Sequence, residues 1–261
     1  LKIENSDFRL AGTISDFPAI IHGLQKPVDV KLQASAEKLD FGKLTNTPNG
    51  ETVEDLSLKL SFAAIAQDLM HFDHLPKGEF FIDDLYAKLG KYPHTLHDFE
   101  ADILIGNNEL EVKGFKGEID QSDFFLNGRV ENFEKWFQDR IEGESTFEWD
   151  FRSKQLRIND LLTYSGVNYL PQSWRDEVLS NLHIHGKVDL LYEGDLQSAD
   201  LYLTQLEGKT TLHPLKLENF SGRIHYEPDY LLVENFGGKM GLSDFNIHMG
   251  LGLDSAHATK P

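Results

Sequence analysis

The sequence predicts an all-β fold with a few short helices, in which tandem copies of one unit form a mostly antiparallel, curved sheet. That sheet is either an open groove or an elongated sandwich. Three observations carry the expectation: apolar and polar residues alternate along most of the chain, Gly and Asn clusters punctuate the alternating stretches, and one motif recurs at nearly even spacing.

The alternation runs as follows. From Val28 to Ala36 every even position is apolar and every odd one polar, and Leu56 to Phe62 repeats the pattern. Ala101–Ile105, Leu182–His185 and Leu215–Leu217 are shorter versions, and Ile247, Met249, Leu251 and Leu253 alternate with His248, Gly250 and Gly252. Successive side chains of a strand point to opposite faces, so each stretch has one dry face and one wet face. That is the signature of antiparallel sheets, because parallel strands are apolar on both sides. Gly106-Asn107-Asn108 and Pro48-Asn49-Gly50 read as turns. Gly237-Gly238 and Gly250-x-Gly252 read as glycines within strands.

Helical spacing occurs three times. Phe133, Trp136, Phe137 and Ile141 predict a short helix capped by Asn132 and stopped at Gly143. Trp174, Val178, Leu179 and Leu182 predict another, opened by Pro171 and Ser173. Phe62, Ile65, Ala66, Leu69 and Met70 fit a third.

The repeat is S-D-F-x-L-x-G-x-[IV]-x-x-F. Copies start at Ser6 and Ser122, 116 residues apart, and a third begins 121 residues later at Ser243, with Ile247 in the leucine slot. The second and third copies agree upstream as well: Leu110, Val112, Phe115 and Gly117 fall on Leu231, Val233, Phe236 and Gly238, and Phe99 and Ile103 on Phe220 and Ile224. Even spacing with shared surroundings marks a structural repeat. The expected division is a first β-rich unit over residues 1–133, a second over 134–254, and a disordered tail over 255–261. The Ser-Asp-Phe itself reads as a strand start, with Ser or Asp bonding the backbone and Phe entering the core.

Composition narrows the function. A net charge of −18 repels nucleic-acid phosphates and anionic lipid headgroups alike. With no cysteine there are no disulfides, thiolate metal sites or cysteine nucleophiles. No apolar run is long enough to span a membrane as a helix, and Leu1 opens the chain without Met or signal peptide, which suggests a piece whose anchor lies elsewhere. His183 with His185, His71 with His74 and His94 with His97 have metal-ligand spacing but no third ligand. The acid pairs Asp83-Asp84, Glu142 with Glu144 and Glu148 with Asp150 are ordinary in a chain of 43 acids. There is no P-loop, dinucleotide fingerprint or nucleophile elbow. The expectation is a non-enzyme without metal or cofactor.

At the segment Leu39-Asp40-Phe41-Gly42-Lys43-Leu44, and at the L-x-V-x-x-F-x-G then S-D-F series of residues 110–130 and 231–251, the chain resembles the AsmA-like family of bacterial envelope proteins. The resemblance spans most of the chain. It implies the periplasmic β-rich part of a protein anchored in the inner membrane by a segment outside this sequence. The implied role is outer-membrane biogenesis or lipid homeostasis among envelope proteins, through non-covalent lipid transport along a greasy groove, as in the related TamB-like and YhdP-like proteins. A phospholipid or other acyl-chain ligand would then lie along Val28, Val30, Leu32, Leu58, Leu60, Ile103, Ile105, Leu126, Leu217 and Ile247. Two alternatives stay open on the residues themselves. These apolar sets could simply close on one another as the core of a plain envelope scaffold. Alternatively Trp136, Trp149 and Trp174 with Tyr164, Tyr169, Tyr192 and Tyr202 could form the platform of a carbohydrate-binding module.

Overall fold

The computed structural model describes residues 2–3, 6–40, 52–70, 77–137, 141–164, 167–168, 171–172, 175–213 and 215–253. The turn expected at Pro48-Asn49-Gly50, the pair His71 and His74, and the tail over 255–261 lie outside the described residues. Strands make up 76% of the structure and form one open antiparallel sheet that does not close into a barrel. They are Lys2–Ile3 (β1), Ser6–Ile14 (β2), Pro27–Asp40 (β3), Thr52–Ile65 (β4), Gly78–Leu89 (β5), Thr95–Ile105 (β6), Glu109–Ile119 (β7), Ser122–Glu131 (β8), Ile141–Arg157 (β9), Thr163–Tyr164 (β10), Val167–Asn168 (β11), Val178–Lys209 (β12), Lys216–Glu227 (β13), Tyr230–Met240 (β14) and Ser243–Gly252 (β15). Strands β10 and β11 pair only with each other, and the other thirteen lie side by side in chain order.

Strand β12 is two strands in one run. Its residues Val178–Gly194 pair with β9, and Ala199–Lys209 pair with β13. The two halves touch: Thr204 Oγ1 donates to the His185 carbonyl at 2.9 Å, and a Cβ added at Gly208 would lie 3.3 Å from the Leu182 side chain. Gly194, at φ +84°, sits where the run turns back. The base of this hairpin is tied by Glu177, which is 1% exposed. Its carboxylate accepts hydrogen bonds from the Thr211 amide (2.5 Å), the Thr211 hydroxyl (3.0 Å) and the Leu212 amide (2.9 Å).

The repeat seen in the sequence recurs in the backbone. Strands β6, β7 and β8 start at Thr95, Glu109 and Ser122, and β13, β14 and β15 start 121 residues later at Lys216, Tyr230 and Ser243. Register breaks fall at matching places, between His97 and Glu100 and between Glu218 and Ser221, then between Val112 and Phe115 and between Val233 and Phe236. The bulge residue with left-handed backbone is Gly114 (φ +62°) in one copy and Asn235 (φ +50°) in the other, two residue types that tolerate this conformation. Behind the bulges the same rings gather. Phe99 packs on Phe115 and Phe124 at centroid distances of 5.7 and 5.2 Å, as Phe220 does on Phe236 and Phe245 at 6.1 and 6.5 Å. Gly117 and Gly238 leave room for the rings, since a Cβ there would lie 2.8 and 2.6 Å from the Phe99 and Phe220 side chains.

The Ser-Asp-Phe motif bonds the backbone of the following strand. Asp7 Oδ1 accepts the Glu37 and Lys38 amides at 2.8 and 3.0 Å, and Asp123 Oδ1 accepts those of Lys154 and Gln155 at 3.1 and 2.8 Å. Ser122 Oγ accepts the Arg157 amide at 2.9 Å. The Asp7 carboxyl is held below its usual range, first by the Lys38 amide.

The helices differ from the periodicity reading. The first expected helix is a single 3-10 segment, Phe133–Phe137, and Ile141 already belongs to β9. Asn132 does not cap it with its side chain, which instead donates to the Glu144 carbonyl at 3.1 Å. Val178, Leu179 and Leu182 lie in β12 instead of a helix, because sixteen backbone positions paired with β9 outweigh an accidental helical spacing. Phe62 and Ile65 end β4, leaving only a 3-10 turn over Asp68–Met70. Two short α-helices have no counterpart in that reading: Phe17–Ile21 (α1) and Ile158–Leu162 (α2). The signal for α1 was present: Asp16 caps it, accepting the Ala19 amide at 3.0 Å, and Pro18 occupies its first turn.

Candidate functional site: one continuous apolar face

Strand register places the apolar alternation of every long strand on one side of the sheet. One row runs Val28, Ala64, Gly78, Ile105, Leu110, Val130 and Phe147, each directly opposite the next. The neighbouring row runs through Val30, Phe62, Phe80, Ile103, Val112, Gly128, Trp149 and Gly186. Deeper in, Leu32 faces Leu60 and Leu60 faces Ile82, while Leu126 faces Phe151 and Phe151 faces Ile184. The face continues through Leu217 opposite Gly208 and Met240, and reaches β15 where Ile247 faces Phe236. At a strand spacing of about 4.8 Å, fourteen strands, with both halves of β12 counted, carry it across about 60 Å.

Among the described residues, two helices cover parts of this face, and Ala36, Leu39, Val53 and Ala87 form a further buried cluster. Ala19 of α1 is fully buried and packs with Val28, Val30 and Ala66. Phe133, on the 3-10 helix after β8, packs with Ile105 and Val130. Both helices follow a Ser-Asp-Phe strand, so the repeat sets both along the rim that begins with Val28 and Ile105. Of the ten predicted lining residues, Val28, Val30 and Ile105 are therefore buried beneath these helices. Leu32, Leu58, Leu60, Ile103, Leu126 and Leu217 are half-buried, and Ile247 is exposed. All ten share the face, and the six half-buried ones together with Ile247 form its open part.

The surface area shows how open the arrangement is. The chain exposes 16349 Å², whereas a compact monomer of its mass exposes about 11,600 Å². An excess of about 40% accords with one open sheet. Among the described residues the apolar sets do not meet one another as the centre of a sandwich.

The opposite face is a lattice of exposed ion pairs between neighbouring strands. Arg129 reaches Glu109 at 2.9 Å, Lys116 reaches Glu100 at 2.9 Å, and Arg223 bridges Asp200 and Glu234 at 2.5 and 2.9 Å. Such pairs add little stability individually but keep this face wet. The acid pairs noted in the sequence belong here: Asp84 pairs with Lys59 at 3.5 Å, and Glu148 approaches His185 at 3.9 Å. Asp150 binds Arg152 at 2.8 Å, which holds its carboxyl below the usual range. His183 and His185 do share a strand face, each next to a carboxylate.

Among the described residues one trio, His97, Asp98 and Glu118, brings its donor atoms within 4.8 Å of one another. Both ring nitrogens of His97 are already engaged, Nδ1 with Asp98 at 2.7 Å and Nε2 with the Asp120 carbonyl at 3.0 Å. The bond to Asp98 raises the imidazole above its ordinary value.

Of the seven aromatics named for a sugar platform, Trp149 and Tyr202 lie on opposite faces. Trp149 lies on the apolar face stacked on Phe147 at 5.1 Å, while Tyr202, on the polar face, lies under Arg223 at 5.6 Å. The side chains of Trp136, Tyr164, Tyr169 and Trp174 lie outside the described residues. No helix among the described residues is long and apolar enough to cross a membrane. Comparison of the chain with protein-family models, with curated proteins and with solved structures returns no match.

Proposed function

We propose that the chain is a non-catalytic lipid-handling module, the periplasmic β-rich part of an inner-membrane-anchored AsmA-like protein serving outer-membrane biogenesis or lipid homeostasis. The observation that carries this reading is the extended apolar face, half-exposed along its middle rows and without a second layer among the described residues. Its rows are aliphatic and Phe-rich, which suits acyl chains better than sugars.

The energetics indicate how lipid would sit. An acyl chain of about fifteen methylenes has about 12 kcal/mol at stake when fully removed from water, and about half that when covered on one side. Association costs several kcal/mol, so a single chain on an open face is held weakly. Lipids lying side by side cover one another and are retained better. Phospholipid is the ligand class; the headgroup would stay in solvent beyond the rim.

The test is organic extraction of the purified chain followed by mass spectrometry. Wild type is expected to retain phospholipid at one molecule per chain or more. Leu32→Asp and Ile103→Asp variants that keep the β-sheet circular dichroism spectrum are expected to lose most of it. Lipid-free wild type would sink the reading.

A further inference from the structure

The middle copy of the repeat shows what a Ser-Asp-Phe strand holds on its far side. Strand β8 is flanked there by β9. Asp123 accepts amides of Lys154 and Gln155 from that strand, and Val130, 7% exposed, packs against Phe147 of β9 as well as Phe133. The first copy does the same with β3, through Asp7 and the amides of Glu37 and Lys38.

Strand β15 is the third copy and the last strand of the sheet, with no neighbour beyond it among the described residues. Asp244 stands 121 residues after Asp123, and Leu251, the counterpart of Val130, is 44% exposed. The edge also lacks the usual protection against pairing. Its ten residues, SDFNIHMGLG, include no Lys and no Pro, and Asp244 is their one carboxylate or ammonium. On the polar side, Asn127 of β8 faces Asp150 of β9. The residue at that place in β15 is His248, which would face the same acid.

We propose that the β15 edge is a strand-acceptor site for a segment patterned like β9 that lies outside the described residues. The occupant runs antiparallel to β15 and presents two consecutive amides to the Asp244 carboxylate. It sets an acidic residue opposite His248 and lays alternate apolar residues over Ile247 and Leu251, so the interface continues the β8–β9 pairing already present in the sheet. Main-chain hydrogen bonds would give such strand addition its affinity and the alternating side chains its selectivity.

The probe is a labelled peptide with the sequence of residues 143–157, titrated into the full chain by fluorescence anisotropy and followed by hydrogen exchange. The expected result is one peptide per chain, with new amide protection over Ser243–Gly252. Asp244→Ala should weaken binding about tenfold, the loss of hydrogen bonds to a charged acceptor, and it disturbs no internal contact of the two complete copies. A scrambled peptide of the same composition should not bind. Absence of binding, equal binding to Asp244→Ala, or protection elsewhere would overturn the proposal. Self-association of the peptide-free chain that Ile247→Lys abolishes would overturn it too, because the edge would then belong to a second copy.

Discussion

Replacing Phe99 by alanine is expected to destabilise the central sheet by about 3 kcal/mol, at the lower end for a buried phenylalanine because the surrounding face is partly open. Phe99 is 7% exposed and lies against Phe115, Phe124 and the bare backbone of Gly117. Truncation empties the one place where both bulged strands, β6 and β7, are keyed together. Phe220→Ala, its counterpart 121 residues on, supplies an internal control. Phe220 is only half-buried, close to the sheet edge, so its loss should cost roughly half as much. In a stack of repeats that contact mainly their neighbours, damage stays local. Urea unfolding followed at both ends of the sheet should show the Phe99 variant's transition splitting. Equal effects of the two substitutions would argue against repeats of graded burial.

Glu177→Ala should cost about 2–3 kcal/mol, because it strands two backbone amides and a hydroxyl that now donate to one buried carboxylate. Glu177→Gln keeps an acceptor oxygen and should lose about half as much. The location of the effect is as informative as its size. Glu177 ties the start of β12 to the residues after its end, so hydrogen exchange should quicken near Val178–Leu182 and Leu206–Lys209 while β3 and β4 stay unchanged. Uniform acceleration would mean that the hairpin is no independent unit.

Much of this fold was legible as period two, because a strand with one wet face leaves its alternation in the sequence. Val28–Ala36 and Leu56–Phe62 are strands, and along Val28–Ala36 the even positions are the more buried ones. The repeat was legible because the Ser-Asp-Phe aspartate and the ring trio each need their residue type at a fixed place. Bulges broke the pattern elsewhere: the face passes from Ala36 to Leu39 and from Leu96 to Phe99, where strict alternation fails. The hairpin inside β12 was hidden by a chance helical spacing at Val178, Leu179 and Leu182. Alternation also cannot say whether a second layer covers an apolar face. That is why the same ten residues suited both a core and a groove, and why Val28 and Leu32, two positions apart on one strand, end in different surroundings.

The most direct test of an open lipid-bearing face is photolabelling with a phospholipid that carries a diazirine at the end of one acyl chain, mapped by peptide mass spectrometry. If the face holds acyl chains, light-dependent adducts should gather on Leu32, Leu58, Leu60, Ile103 and Leu126 and be competed by unlabelled phospholipid. Adducts spread over the ion-paired face around Arg129 and Arg223, or labelling that excess lipid does not reduce, would contradict it.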